Sequence, residues 1–160
     1  MTHSSHRLSG IIEVNTDYVI VSGYVAILFG RARGTEDVDL LIPPETKEQF
    51  HRLWHSLVSS GFYFLNSRNE NEIFSMLVDG LGVRIAKEQR IIPNIKLKFE
   101  KTRCDAYVLK KHLTVLFGNH CIRISPIELQ IAYKIYLGSE KEIEDALYLW
   151  EIFKESLDTS

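Results

Sequence analysis

The chain has little cysteine: two residues in 160, Cys104 and Cys121. That is too sparse for a secreted disulfide framework, and the two lack the paired spacing of a zinc site, so a reducing, cytosolic setting is expected. No apolar run approaches the ~18 residues needed to cross a bilayer. The segment Met1 to Gly10 is polar and shows no signal-peptide pattern. A soluble, cytoplasmic protein with no membrane partner is the resulting expectation. Charge of one sign is also lacking. The formal net charge of -2 supplies no whole-molecule field for nucleic acid, so any such contact needs a local basic patch. Internal repeats, low-complexity tracts and interdomain linkers are absent as well.

What is present is an ordinary globular composition, 45% hydrophobic and 25% charged, in a length that closes one core without a structural metal. A single domain over 1-160 is expected, with a core over about 15–124 and a helical pair over about 125–158. The first ten residues, with His3 and His6, read as a mobile tail; Leu8, Ile11 and Ile12 hint at a short helix that Gly10 weakens. Tyr18 to Val21 reads as a buried strand, Tyr24 to Phe29 as a short helix ending near Gly30, and Asp37 to Ile42 as a strand stopped by Pro43-Pro44. Apolar residues at three- and four-residue spacing predict an amphipathic helix over Thr46 to Ser60, closed by Gly61.

Phe62 to Leu65 and Ile73 to Val78 read as strands, and Asp79-Gly80 as a tight reversal into a strand over Leu81 to Ala86. Ile91 to Phe99 is ambiguous, with Pro93 arguing against a central strand. Tyr107 to Leu109 reads as weakly extended, and Thr114 to Phe117 with Cys121 to Ile124 as a hairpin about Gly118-Asn119. Ser125-Pro126-Ile127-Glu128 reads as a capping box opening a helix through Leu137. Gly138 closes that helix, and Ser139 to Glu142 opens another to about Leu157. The class is therefore α/β or α+β: one mixed sheet with flanking helices and a C-terminal helical hairpin.

The most informative stretch is Val19 to Ile42, VIVSGYVAILFGRARGTEDVDLLI. Asp37 and Asp39, at i and i+2 of a strand, point to one face. Two such charges side by side repel unless something cationic lies between them, and a divalent metal is the obvious candidate. Upstream, a strand ending in Ser22-Gly23 and feeding a helix offers backbone N–H groups, a hydroxyl and a close main-chain approach, which suit a phosphate. Arg31 and Arg33 are candidates for charge-assisted contacts to its oxygens. Anion cradle and paired carboxylates together describe a site for a metal-bound polyphosphate.

These residues resemble the nucleotidyltransferase superfamily typified by DNA polymerase beta: strand, small-residue turn, helix, then Asp-h-Asp-h, with thirteen residues between Gly23 and Asp37. The form Arg33-x-Thr35-x-Asp37-Val38-Asp39-Leu40 is similar to that of small prokaryotic members, including toxin-like nucleotidyltransferases of abortive-infection systems. SPIELQIAYKIYLGSEKEIEDAL near the C-terminus resembles theirs too. The resemblance implies transfer of a nucleoside monophosphate from a nucleoside triphosphate to a hydroxyl acceptor, an RNA end or a protein. It implies Asp37 and Asp39 as catalytic ligands of two Mg2+ ions, with Ser22, Gly23, Arg33 and Thr35 at the nucleotide and Lys134 reaching the triphosphate. The usual turn is Gly-Ser or Gly-Gly, whereas this chain has Ser22-Gly23. The third carboxylate of active members is expected in Val83-Arg84-Ile85, where arginine stands; Asp105 is the rival candidate.

Blander readings stand beside these. An Asp-x-Asp alone is a solvated strand end more often than a site, and Arg84 and Lys134 are as well explained by an acidic neighbour and by solvent. Glu142, Glu144 and Asp145 read as a solvated face of the last helix. Tyr133, Tyr136, Tyr148 and Trp150 read as packing residues, and His112 and His120 lack ligand spacing. Lys96, Lys98, Lys101, Arg103, Lys110 and Lys111 form a basic stretch whose default is a solvated edge and whose alternative is a guide for nucleic acid. The functional alternative is a catalytically degenerate relative that binds nucleotide or a partner protein, in a regulatory or toxin-antitoxin role.

Overall fold

The computed structural model describes residues 3–32, 37–89 and 94–157. Seven strands form one mixed sheet: β1 (Val19–Val21), β2 (Asp37–Ile42), β3 (Phe62–Phe64), β4 (Val83–Lys87), β5 (Asn94–Phe99), β6 (Leu113–Phe117) and β7 (His120–Ile124), in the order β3-β4-β5-β2-β1-β7-β6. β2 lies antiparallel to β1 and parallel to β5, at the centre of the sheet. The helices among the described residues are α1 (His3–Asn15), α2 (Tyr24–Leu28), α3 (Lys47–Ser59), α4 (Glu70–Val78), α5 (Arg103–Lys111), α6 (Ile127–Leu137) and α7 (Glu140–Phe153).

The period of two divides every central strand between unlike faces. Ile20, Val38, Leu40, Ile42, Ile95, Leu97 and Phe99 enter the main core, where they meet Leu8 and Ile12 of α1, Phe50, Leu53 and Leu57 of α3, and Ile73 and Leu77 of α4. The other face is thinly covered. Among the described residues, Val19, Leu41 and Val108 are buried together there, with Val21, Leu109 and Leu129 packed against them. Asp37 and Asp39 belong to this second face.

Several expectations hold: β1, α2, β2, α3, the β6–β7 hairpin and both C-terminal helices lie where the pattern put them. Others are corrected. The N-terminal segment is helical from His3, because burying Leu8 and Ile12 outweighs the ~1 kcal/mol helix cost of Gly10. Ile73 to Val78 is helix, not strand. Asn69 caps α4 by accepting from the Asn71 and Glu72 N–H groups, and Ile73 and Leu77 bury one stripe four residues apart. The Asp79-Gly80 reversal is accordingly the end of that helix, with Gly80 at φ +83.

Tyr107 to Leu109 is helical too, inside α5, where Thr102 and Asp105 form a reciprocal capping box. The ambiguous stretch yields β5, a central strand that starts at Asn94; Pro93 lies outside the described residues. Ser125 does not cap α6. Pro126 holds the N-cap position without a side-chain bond, and the Ser125 hydroxyl accepts from the Gln130 amide instead. Ser139 does cap α7, accepting from the Glu142 N–H at 3.3 Å, while the Glu142 carboxylate turns away to Lys134.

Candidate active site

The turn after β1 and the acids of β2 meet because β1 pairs with β2 so that Val21 lies opposite Asp39. Ser22 follows directly, and its hydroxyl hydrogen-bonds the Asp39 carboxylate. Ser22 holds φ +69, the left-handed region that costs a residue with a Cβ about 1–2 kcal/mol. Gly23 is in an ordinary right-handed conformation and N-caps α2. The reversed order Ser22-Gly23 thus puts the strained position on serine. α2 has only five residues, so its dipole adds less than the sequence pattern suggested.

A cavity of about 380 Å³ opens beside this turn, between the thinly covered face of the sheet and α5 and α6. Its floor is Val21, Ser22, Asp39 and Leu41; Lys96 and Lys98 of β5 stand along one side; Asp105, Val108, Leu129, Gln130 and Tyr133 come from the helices. The start of α6 is fixed there by the Ser125 N–H donating to the Ile20 carbonyl at 3.0 Å. Tyr133 is 54% exposed. The packing role expected for it is therefore corrected: it edges the cavity.

Burial pushes the Asp39 carboxyl above the usual aspartate range, with neighbouring Asp37 adding to the rise; the Ser22 bond and the charges of Lys96 and Arg84 oppose it. Asp37 meets the Arg84 guanidinium, Nη2 to Oδ2 3.1 Å. Strand pairing sets Asp39 opposite Lys96, and Lys96 opposite Arg84, on one row of three strands. The third acid is expected on the Arg84 strand, but the direct neighbour of Asp39 lies on β5 and is Lys96. The alternating polar residues Asn94, Lys96 and Lys98 of β5 were the available signal, hidden by the proline.

Asp105 lines the cavity, but its Oδ2 accepts from the Lys101 and Thr102 N–H groups, both at 3.0 Å, as the cap of α5. Lys134 is 1% exposed and donates to Glu142 at 2.9 Å and Asp145 at 3.0 Å; it is not among the residues lining the cavity. Asp145 is fully buried rather than solvated, and its other oxygen accepts from Arg31 at 2.7 Å. Arg31 so ties the end of α2 to α7 and also bonds Glu144. Arg33 and Thr35 lie outside the described residues.

No protein-family model matches the sequence, and no curated protein matches it. Solved structures do match. The crystal structure of ANT(2'')-Ia in complex with adenylyl-2''-tobramycin superposes with TM-score 0.58 at 15% identity, covering 94% of this chain and 87% of that one. The solution structure of the antibiotic-resistance factor ANT(2'')-Ia superposes with TM-score 0.57 at 15% identity, covering 92% and 81%. This chain has the nucleotidyltransferase fold. At that identity the likeness fixes the architecture and leaves the chemistry to the residues.

Within this nucleotidyltransferase fold, a two-ion Mg2+ set needs several free carboxylate oxygens converging on one point. The residues present do not fit it. Asp37 is paired to a guanidinium, Asp39 faces a lysine and a hydroxyl, and Asp105 serves as a cap. Among the described residues no three His, Cys, Asp or Glu side chains come together as a metal group. No helix of the described residues is long and apolar enough to cross a membrane.

Proposed function

We propose that the cavity binds a nucleoside triphosphate and that the protein transfers the nucleoside monophosphate to a hydroxyl acceptor, releasing pyrophosphate. The observation that carries this reading is the convergence of the Ser22 turn, Asp39 and two lysines in one cavity of the nucleotidyltransferase fold. The neighbour solved with adenylyl-2''-tobramycin lends it support, since that compound joins an adenylyl group to an acceptor. Nucleotidyl transfer asks a protein chiefly for positioning and charge. The acceptor oxygen bonds to the α-phosphorus as the bond from that phosphorus to the bridging oxygen breaks, and the electron pair leaves with pyrophosphate. Asp39, a stronger base than an exposed aspartate, takes the acceptor's proton. Lys96 and Lys98 face the charge that gathers on the leaving group, and Tyr133 offers a ring for the base.

The test is transfer of label from α-labelled nucleoside triphosphates to RNA, to protein and to hydroxyl-rich small molecules, with pyrophosphate release measured in parallel. Activity that falls about 100-fold or more in Asp39→Ala supports the reading. The position of Lys96 beside Asp39 favours a second reading, a nucleotide-binding protein without turnover. Nucleotide binding with no label on any acceptor, and no pyrophosphate, would select it.

A further inference from the structure

Three adjacent strands bring one acid and two bases onto one row of the open sheet face, with a second acid, Asp37, two residues along β2. Asp39 of β2 is the cross-strand partner of Lys96 of β5, which is the partner of Arg84 of β4, and Arg84 reaches over to Asp37 at 3.1 Å. Lys98, two residues along on the same face, lines the cavity with Lys96. Asp37 therefore already has a guanidinium of the chain at 3.1 Å, and the charge of Lys96 acts on Asp39 from the neighbouring strand. The Lys96 arm also has a place made for it. It lies across Gly82, where a Cβ would stand 2.5 Å from Lys96 Cε. Like charges repel; a metal ion entering at Asp37 would have to displace the Arg84 guanidinium and approach the charge of Lys96.

We propose that Lys96 and Arg84 are the resident cations of this site, taking the place of divalent metal at the Asp37–Asp39 pair, so that the triphosphate of a nucleotide is bound by the chain's own ammonium and guanidinium groups without magnesium. The inference rests on the nucleotide reading above. In it the aspartates hold the bases in position, and Lys96 and Lys98 supply the charge-assisted bonds to phosphate oxygens.

The experiment is isothermal titration of the full chain with a nonhydrolysable ATP analogue in excess EDTA and again in excess magnesium. The Kd is expected to agree between the two within about threefold. Lys96→Met, which keeps the stem and removes the charge at an exposed position, should weaken the EDTA titration about tenfold or more. Gly82→Ala, which keeps the charge but pushes the arm aside, should weaken it in the same direction. Lys96→Asp should create what the wild-type chain lacks: Mn2+ binding seen by electron paramagnetic resonance without nucleotide, abolished again by Asp39→Ala. Binding that appears only with magnesium, or Mn2+ bound by the wild-type chain and lost in Asp39→Ala, overturns this proposal and leaves the nucleotide reading standing. Binding in neither buffer, across the common triphosphates, overturns both.

Discussion

Ser22 carries two burdens that can be separated. Its backbone sits at φ +69 and its hydroxyl bonds Asp39. Ser22→Ala loses the bond and keeps the strain, because any Cβ crowds the neighbouring carbonyl in that conformation. Ser22→Gly loses the same bond and removes the strain. The glycine variant is therefore expected to be the more stable of the two by about 1 kcal/mol, less what the freer unfolded chain takes back. Since about 1 kcal/mol moves the Tm of a chain this size by roughly 2–4 °C, calorimetry resolves it. Equal Tm values would mean that the turn holds no strain. Holding a left-handed serine beside a carboxylate is the kind of local cost that proteins carry at working sites. This residue also marks how far the sequence is readable: the Ser-Gly order and the Asp-x-Asp period placed the turn and acids at one edge, whereas the φ angle that gives the reversed order its meaning depends on the three-dimensional path.

Elements with strong local punctuation were readable in advance, and those decided by tertiary packing were not. α3 has a Thr46–Gln49 capping box and a glycine stop, and the spacing of its apolar residues leaves one reading. α4 offers a short, mostly apolar run in Ile73 to Val78 that reads as a strand; what decides for helix is the Asn69 cap and the core that receives Ile73 and Leu77. α5 is similar: Thr102 and Asp105 have capping-box spacing, whereas the sequence reading takes Asp105 only as a candidate acid of the site. The C-terminal hairpin shows the same limit in its charges. Lys134 and Asp145, eleven residues apart, form a buried pair that Arg31 extends to α2. Asp145→Ala leaves the Lys134 ammonium with Glu142 alone at 1% exposure, and removing one partner of a buried pair costs about 3–5 kcal/mol. Urea denaturation should show a loss of that size, partly recovered when Lys134→Met is added. A loss below about 1 kcal/mol would mean the pair is screened and does not hold the hairpin.

The whole molecule is asymmetric across its sheet: one face is closed by α1, α3 and α4 over the main core, and the other is left partly open over charged side chains. The basic stretch after Ile95 does not gather into one nucleic-acid face. Lys96 and Lys98 turn to the cavity, Lys101 donates to the Asp79 carbonyl at 3.0 Å, and Lys110 and Lys111 sit in the last turn of α5, where the helix dipole favours them. The cavity takes Ser22, Asp39, Lys96 and Gln130 from four distant segments, so the unfolded chain has no such site. A ligand bound only by the folded state stabilises it by about 2.7 kcal/mol at one hundred times its Kd. For this length that corresponds to a rise in Tm of roughly 5–10 °C. Thermal denaturation with increasing nucleoside triphosphate should show that rise and its loss in Asp39→Ala. Inorganic phosphate at the same concentration should move the Tm far less, because it carries no base for Tyr133 to face. An equal shift with phosphate would reduce the cavity to a general anion site and remove the nucleotide from its description.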